Sequence, residues 1–464
     1  MRHHLTATSL TAALALTLAA CAQGSGDDDQ DPAPTGDDAG QFDPEAELSG
    51  SLDILGFGAG DEVATVRMER AEEILGDVDV SLTEGDLDIQ QFLSAVASGE
   101  PPELIYANRD QIGTFASRGA IIPLTGCIEG EGIRTEDFRE PALEQVTFDG
   151  EVYGIPEFNS VQLTMANSEL LEAAGLGVED VNGSDWDAVT SASEALADPG
   201  AGVIGYDSKL PEFLPLWAHV NGTDLISEDG RTAQLDDPAV VEALEWAVGI
   251  YDAQGGFPTV KAVRDSADFF GSGNQFASGT LGAMPMEQWY VNVLNDVSPD
   301  APLVFDTVRD HDGAPVAYAS GSAWAIPADT ENPAAACRWA RAMTEVDAWV
   351  AAAEERKSIR DGEGKPFTGL LTGNQAADDA VAELVEPSGE EVWDSAVEAM
   401  YEANDNTFSL PANPADAEFK TAWQDAVNRV LNGQAEPADS LAQAQEEAQA
   451  ALDERWAAWD DGEG

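Results

Sequence analysis

From Ser51 to Asn108 the chain alternates short apolar runs with stretches of helical spacing, and this alternation limits the folds open to it. "SLDILGFGAG" reads as a strand that ends in a glycine-rich loop. Glu62 to Leu75 then places Val63, Val66, Ala71, Ile74 and Leu75 at helical intervals. "DVDVSL" alternates as a strand does, and "DIQQFLSAVASG" sets Ile89, Phe92, Leu93 and Val96 on one helix face, with Gly99 as a stop. "PPELIYAN" is a strand again. Strand, helix, strand, helix, strand predicts an α/β fold with mostly parallel sheets flanked by helices. Further on, "VQLTMA" is strand-like, Asn167 or Ser168 caps a short helix ended by Gly175, and Ser184 with Asp187 forms a capping-box pattern. Asp237 and Pro238 open another helix, and the last third is helix-rich.

At 464 residues, 43% of them apolar, the chain is long enough for two or three domains with real cores. Its 88 acidic against 21 basic residues give a formal charge of −67, which repels phosphate backbones and excludes nucleic acid as a partner. The acid excess itself reads as solubility. Four histidines without a His-Glu-x-x-His, and three cysteines without a Cys-x-x-Cys, suggest neither a metal site nor a cofactor.

The first twenty residues read as a signal peptide: Arg2, an apolar Leu5–Ala20, then "LAAC" at Leu18 to Cys21. That ending resembles the bacterial lipobox, which implies cleavage before Cys21 and lipid on its thiol. Residues 21–47 are rich in Gly, Ser, Pro and Asp and read as a disordered acidic tether. The body, from Leu48, is then expected to work outside the cytoplasmic membrane. In an oxidising compartment Cys127 and Cys337 could pair, and the sequence leaves both states open.

A series of landmarks resembles the extracellular solute-binding proteins of ABC importers, the family that includes maltose- and oligosaccharide-binding proteins. They are "PPELIYANRDQIGTFASRGAIIPLTGCI", "VTFDGEVYGIPEFNSVQLTMANSELLEAAGL", "SDWDAV", "PLWAHVNGTDLISEDG", "DDPAVVEALEWAVGIY", "FASGTLGAM" and "SGSAWAIPADTENPAAACRWARAM", in the family's order. The resemblance implies a two-lobed periplasmic-binding-protein fold of type II, closing by a hinge on a ligand in the cleft. By analogy residues 48–158 and 315–384 make the first lobe, and 159–314 and 385–464 the second. Chain crossings are expected near 156–161, near 314–320 and within 368–390. The implied function is capture of a mono- or oligosaccharide for an ABC permease by a monomer without catalysis. A receptor for glycerol phosphate or polyamine, a glycan-active enzyme and a surface adhesin are the alternatives.

A sugar asks for an aromatic plate against its C–H face and for planar donors and acceptors at its hydroxyls. Candidates on loops or strand ends are Phe57, Gly58, Asn108, Arg109, Asp110, Glu157, Asn159, Phe213, Trp217, Asn221, Glu287, Trp289, Gly321, Ser322, Trp324 and Trp423. In "GAMPMEQWY" Pro285 is expected to end a strand, Met284 and Met286 to be core, and Trp289 to face the ligand beside Glu287. Trp246, Trp339 and Trp349 lie in helical stripes and read as packing, as does Trp186 at a helix start; Trp456 and Trp459 sit in an acidic tail expected to fray.

Overall fold

The computed structural model describes residues 42–462. The signal peptide, the lipobox with Cys21 and nearly all of the tether lie outside the described residues.

Strands β1 (Ser49–Leu55), β2 (Asp77–Thr83) and β3 (Leu104–Asn108) come first, with helices Glu62–Leu75 and Ile89–Ser98 between them. Both helices start on an aspartate: Asp61 accepts from the Ala64 amide and Asp88 from that of Gln91, each at 2.9 Å. Gly99 ends the second in the left-handed region, φ 76°. A hairpin of β4 (Thr147–Phe148) and β5 (Glu151–Val152) precedes β6 (Ile155–Ser160) and β7 (Gln162–Asn167). Then follow β8 (Ile204–Tyr206), β9 (Leu281–Glu287), β10 (Leu303–Thr307), β11 (Ala317–Tyr318), β12 (Ser320–Ala325) and β13 (Thr407–Phe408).

The first sheet has the order β2-β1-β3-β12-β6, the second β10-β7-β9-β8, and β11 pairs with β13. β1 runs parallel to β2 and β3, as the alternation predicts, whereas β12 is antiparallel to both β3 and β6. In the second sheet only β8 and β9 are parallel. The sheets are therefore mixed rather than mostly parallel. Parallel pairing belongs to the strand–helix–strand run, and the strands that pass from one sheet to the other enter antiparallel.

Those passages are short. Val161 alone separates β6, in the first sheet, from β7, in the second, and Ala319 alone separates β11 from β12. A third segment, Leu371–Asn374, runs beside β6: Asn159 donates its amide to the Leu371 carbonyl at 3.2 Å, and Gly373 to that of Glu157 at 2.6 Å.

Three local expectations change. Pro285 does not end its strand: β9 runs on to Glu287, with Pro285 opposite Thr164. β8 pairs with β9 only as far as Ala283, so the missing Pro285 N–H lies beyond the end of that neighbour. The helix Trp186–Leu196 is capped by Asp185, not by a Ser184 box, because Ser184 is turned back onto Asn182. Trp456 and Trp459 do not fray. Trp456 is 7% exposed, stacks on Phe148 at 5.3 Å and donates to the Gly230 carbonyl, while Trp459 meets Phe148 edge-on.

The remaining tryptophans expected to pack do so: Trp339 and Trp349 are fully buried, and Trp186 stacks on Trp246 at 4.2 Å. Met284 and Met286 are buried in the core of the second sheet. Asn167, not Ser168, caps its helix. Cys127 and Cys337 are joined by a disulfide with Cα atoms 5.7 Å apart, tying helix Thr125–Glu131 to helix Pro333–Thr344.

Candidate functional site

A cavity of about 500 Å³ opens where the ends of the two sheets face each other. From the first sheet it receives Asn108 at the end of β3, Ser160 at the end of β6 and Ser320, Gly321 and Ser322 from the start of β12. From the second it receives Met286 and Glu287 at the end of β9, and Lys209, Glu212 and Phe213 from the turn and helix after β8. Helix Asp416–Leu431 closes the rim with Asp416, Phe419, Lys420, Trp423 and Gln424.

Each wall has its own physical logic. After β3 the chain makes a short 3₁₀ turn, and Arg109 folds back under the floor, 1% exposed. Its Nη2 donates to Asn159 Oδ1 at 2.7 Å and to the Ser320 carbonyl at 2.5 Å, so one guanidinium binds both crossing strands. Burial pulls its pKa down to about 10, which leaves it charged at neutral pH. Gly321 permits this approach: a Cβ there would sit 2.0 Å from the Phe158 carbonyl oxygen and 2.8 Å from Arg109 Nη2. Asp110 accepts from Lys420 Nζ at 2.5 Å, which ties the first wall to the rim helix. Asp416, in the first turn of that helix, accepts from the Gly113 amide at 2.9 Å, and burial pushes its carboxyl above the usual range.

On the second wall Pro215 lacks an N–H and crowds the preceding turn, and Phe213 leaves helical geometry at φ −124°. This kink lets Phe213 face the cavity. Glu287 is held by the indole of Trp289, whose Nε1 donates to Oε2 at 2.8 Å. Burial raises the Glu287 pKa, against the Trp289 hydrogen bond and the Lys209 charge.

Eight of the sixteen sequence candidates line the cavity: Asn108, Arg109, Asp110, Phe213, Glu287, Gly321, Ser322 and Trp423. The other eight lie elsewhere. Phe57 and Trp324 are buried, packed 5.0 Å apart and both against Tyr106. Gly58 is exposed on the loop after β1, with open space around it. Glu157 is buried in an ion pair with Arg67 and accepts from the Tyr106 hydroxyl. Asn159 lies beneath Arg109 and donates to Asn404. Trp217 is a core residue whose Nε1 donates to the Ser208 carbonyl. Asn221 bonds the Ala239 carbonyl at its helix end. Trp289 stands behind Glu287, against Phe269 and Phe270, instead of facing the cavity.

Sequence reasoning missed Lys209, Glu212, Asp416, Phe419, Lys420 and Gln424, among others. A signal existed for the rim helix. Asp416, Phe419, Lys420, Trp423 and Gln424 share one helical face, so Trp423 implies its neighbours at helical spacing. Lys209 lies in the turn just after β8, a position that lines clefts of α/β folds. Among the described residues no group of three His, Cys, Asp or Glu side chains is placed to hold a metal, and no helix is long and apolar enough to cross a membrane.

Two mixed sheets with their own helices, joined by the one-residue crossing at Val161 beside a polar and aromatic cavity, make a two-lobed fold of the type II binding-protein class. The family model described as bacterial extracellular solute-binding protein matches residues 68–359, more than half of the chain, and the chain belongs to that family. An arabinooligosaccharide-binding protein of Halalkalibacterium halodurans is 25% identical over 175 residues, which cover 36% of this chain and 36% of that protein. An uncharacterised lipoprotein of Streptomyces antibioticus is 25% identical over 29% of this chain and 30% of its own length. The match thus spans about a third of each curated relative. Among solved structures, an ABC substrate-binding protein of Listeria monocytogenes in complex with cycloalternan superposes with a TM-score of 0.68 at 18% identity. That alignment covers 88% of this chain and all of the other.

Proposed function

We propose that this protein captures an oligosaccharide outside the cytoplasmic membrane and delivers it to the permease of an ABC importer, without turnover. One observation carries the reading. The cavity between the lobes combines aromatic edges (Phe213, Phe419, Trp423) with carboxylate, amide and ammonium groups, the set a polyol requires. The arabinooligosaccharide-binding relative and the cycloalternan complex support it. The lobes are taken as 48–158 with 315–384, and 159–314 with 385–464, hinged at the crossings by Val161 and Ala319. Ligand shifts the population toward the closed form, which presents both lobes to the permease. Lipid on Cys21 holds the body to the membrane, and the protein acts as a monomer.

A thermal-shift series on the full chain with oligosaccharides, glycerol 3-phosphate and spermidine tests the ligand class. A rise in melting temperature with saccharides alone is expected. A rise confined to glycerol phosphate or spermidine contradicts the reading. For the anchor, Cys21→Ser should release the protein to the medium, and its retention on membranes would count against lipidation.

A further inference from the structure

Lys209 has a backbone conformation that needs explaining. Its φ of 50° and ψ of 35° put it in the left-handed region. Among the described residues only two other non-glycine residues have positive φ, and both are aspartates, which tolerate that region better than lysine does. The chain holds this turn with buried groups. Asp207, 1% exposed, accepts from the Lys209 amide at 3.0 Å, from the Tyr251 hydroxyl at 2.9 Å and from Arg264 at 2.6 Å. Burial alone would raise the Asp207 pKa, but Arg264 and Lys209 outweigh it and hold the carboxyl below its usual range, so the scaffold stays ionised. Tyr251 in turn accepts from the Leu210 amide, and Trp217 donates to the Ser208 carbonyl at 2.8 Å. Every residue from 207 to 210 is thus pinned from behind. Strain sustained by such surroundings clusters at ligand sites.

The scaffold presents one ammonium to the cavity. Lys209 is 13% exposed, with Nζ 3.4 Å from Glu212 Oε1, and its charge acts on Glu287. We propose that Lys209 is a specificity-determining residue of the cleft, donating to hydroxyls of an uncharged saccharide while Glu212 and Glu287 beside it accept from them. A sugar hydroxyl both donates and accepts, so neighbouring hydroxyls match one charged donor framed by two acceptors. A uronate would meet both carboxylates, and the ammonium of an amino sugar, which has no lone pair, could not accept from Lys209. This inference rests on the saccharide reading above.

The test titrates the full chain calorimetrically with the uncharged trisaccharides maltotriose, mannotriose and arabinotriose, and with trigalacturonate and the chitosan trimer. The wild type should bind an uncharged trisaccharide more tightly than either charged one. Lys209→Gly should lower that affinity about ten- to hundredfold, the worth of a hydrogen bond to a charged group. Its melting temperature should hold or rise, since glycine takes this backbone conformation without strain. Lys209→Arg, which keeps the charge, should recover part of the loss. Wild-type affinity in Lys209→Gly overturns the role of Lys209 and leaves the saccharide reading standing. A preference for trigalacturonate or the chitosan trimer overturns the selectivity. No binding of any of these saccharides by the wild type overturns the reading itself and the inference with it.

Discussion

The two walls of the cleft are both polar, but they hold their charges differently. On the first wall, Arg109 is turned into the floor and bonded to Asn159 and the Ser320 carbonyl, and Asp110 is paired with Lys420. Its charged groups serve the crossings and the rim. On the second wall the anchoring groups stand behind the surface: Asp207, Arg264 and Trp217 hold the turn of Lys209, and Trp289 holds Glu287. Lys209, Glu212 and Glu287 line the cavity. The first wall spends its charges on its own strands and on the rim helix, and the second wall supports its cavity-lining charges from behind.

The largest expected effect separates a scaffold tryptophan from a lining one. Trp217→Ala should destabilise the fold by about 3–5 kcal/mol in urea unfolding, because it empties a closed core. Trp423→Ala should in addition lower saccharide affinity by about 1–3 kcal/mol in calorimetry. Equal affinity losses in the two variants would erase the distinction between support and surface.

A smaller effect concerns the buried network beside the β6 crossing. Asn159 donates to Asn404, Asn404 to Asp378, and Arg139 pairs with Asp378 at 2.9 Å. Burial raises the Asp378 pKa from 3.8 to about 6, more than Arg139 lowers it. The folded state then keeps a proton that the unfolded chain releases near pH 3.8, so this group's contribution to stability falls as pH rises from that value through about 6. The loss amounts to about 3 kcal/mol at most. Comparing unfolding free energies of wild type and Asp378→Asn across this window isolates the term from general acid repulsion. Parallel curves would show that Asp378 does not titrate there.

Trp289→Phe keeps a ring and removes the donor to Glu287. Saccharide affinity should drop by about 1 kcal/mol with an unchanged melting temperature. An unchanged affinity would mean that Glu287 needs no support to act. Smallest of all, Lys420→Met breaks a pair whose side chains are 42% and 31% exposed, and should cost about 0.2–1 kcal/mol of stability, less at high salt. A larger loss would show that the first wall depends on its rim contact more than the exposure allows.

Much of the architecture was legible in the chain because periodicity and caps are local properties. Asn167 and Asp237 cap their helices as the sequence pattern reads, and Asp61 and Asp88 cap two helices that periodicity alone marked. What was not legible depends on which neighbour a side chain meets across the fold. Trp217, Trp289 and Trp324 read in the sequence as stacking residues, yet Trp217 packs on Trp246 inside a helix, Trp324 packs on Trp339 from within β12, and Trp289 is held by its bond to Glu287. Lys209 was legible only by its place shortly after a strand, because its left-handed backbone, φ 50°, is a torsion that the residue type does not announce. Trp423 was visible as an aromatic, but its cavity-facing neighbours emerge only once helix Asp416–Leu431 is placed on the rim.

The central claim is that the cavity between the lobes is a saccharide site. It is tested most directly by calorimetric titration of the full chain and of its Glu287→Gln, Trp423→Ala double variant with one uncharged trisaccharide. The account predicts saturable binding to the wild type, and at least a tenfold weaker affinity in a double variant that still melts cooperatively. Saturable binding of equal affinity in both proteins would contradict it and move the ligand away from this cleft.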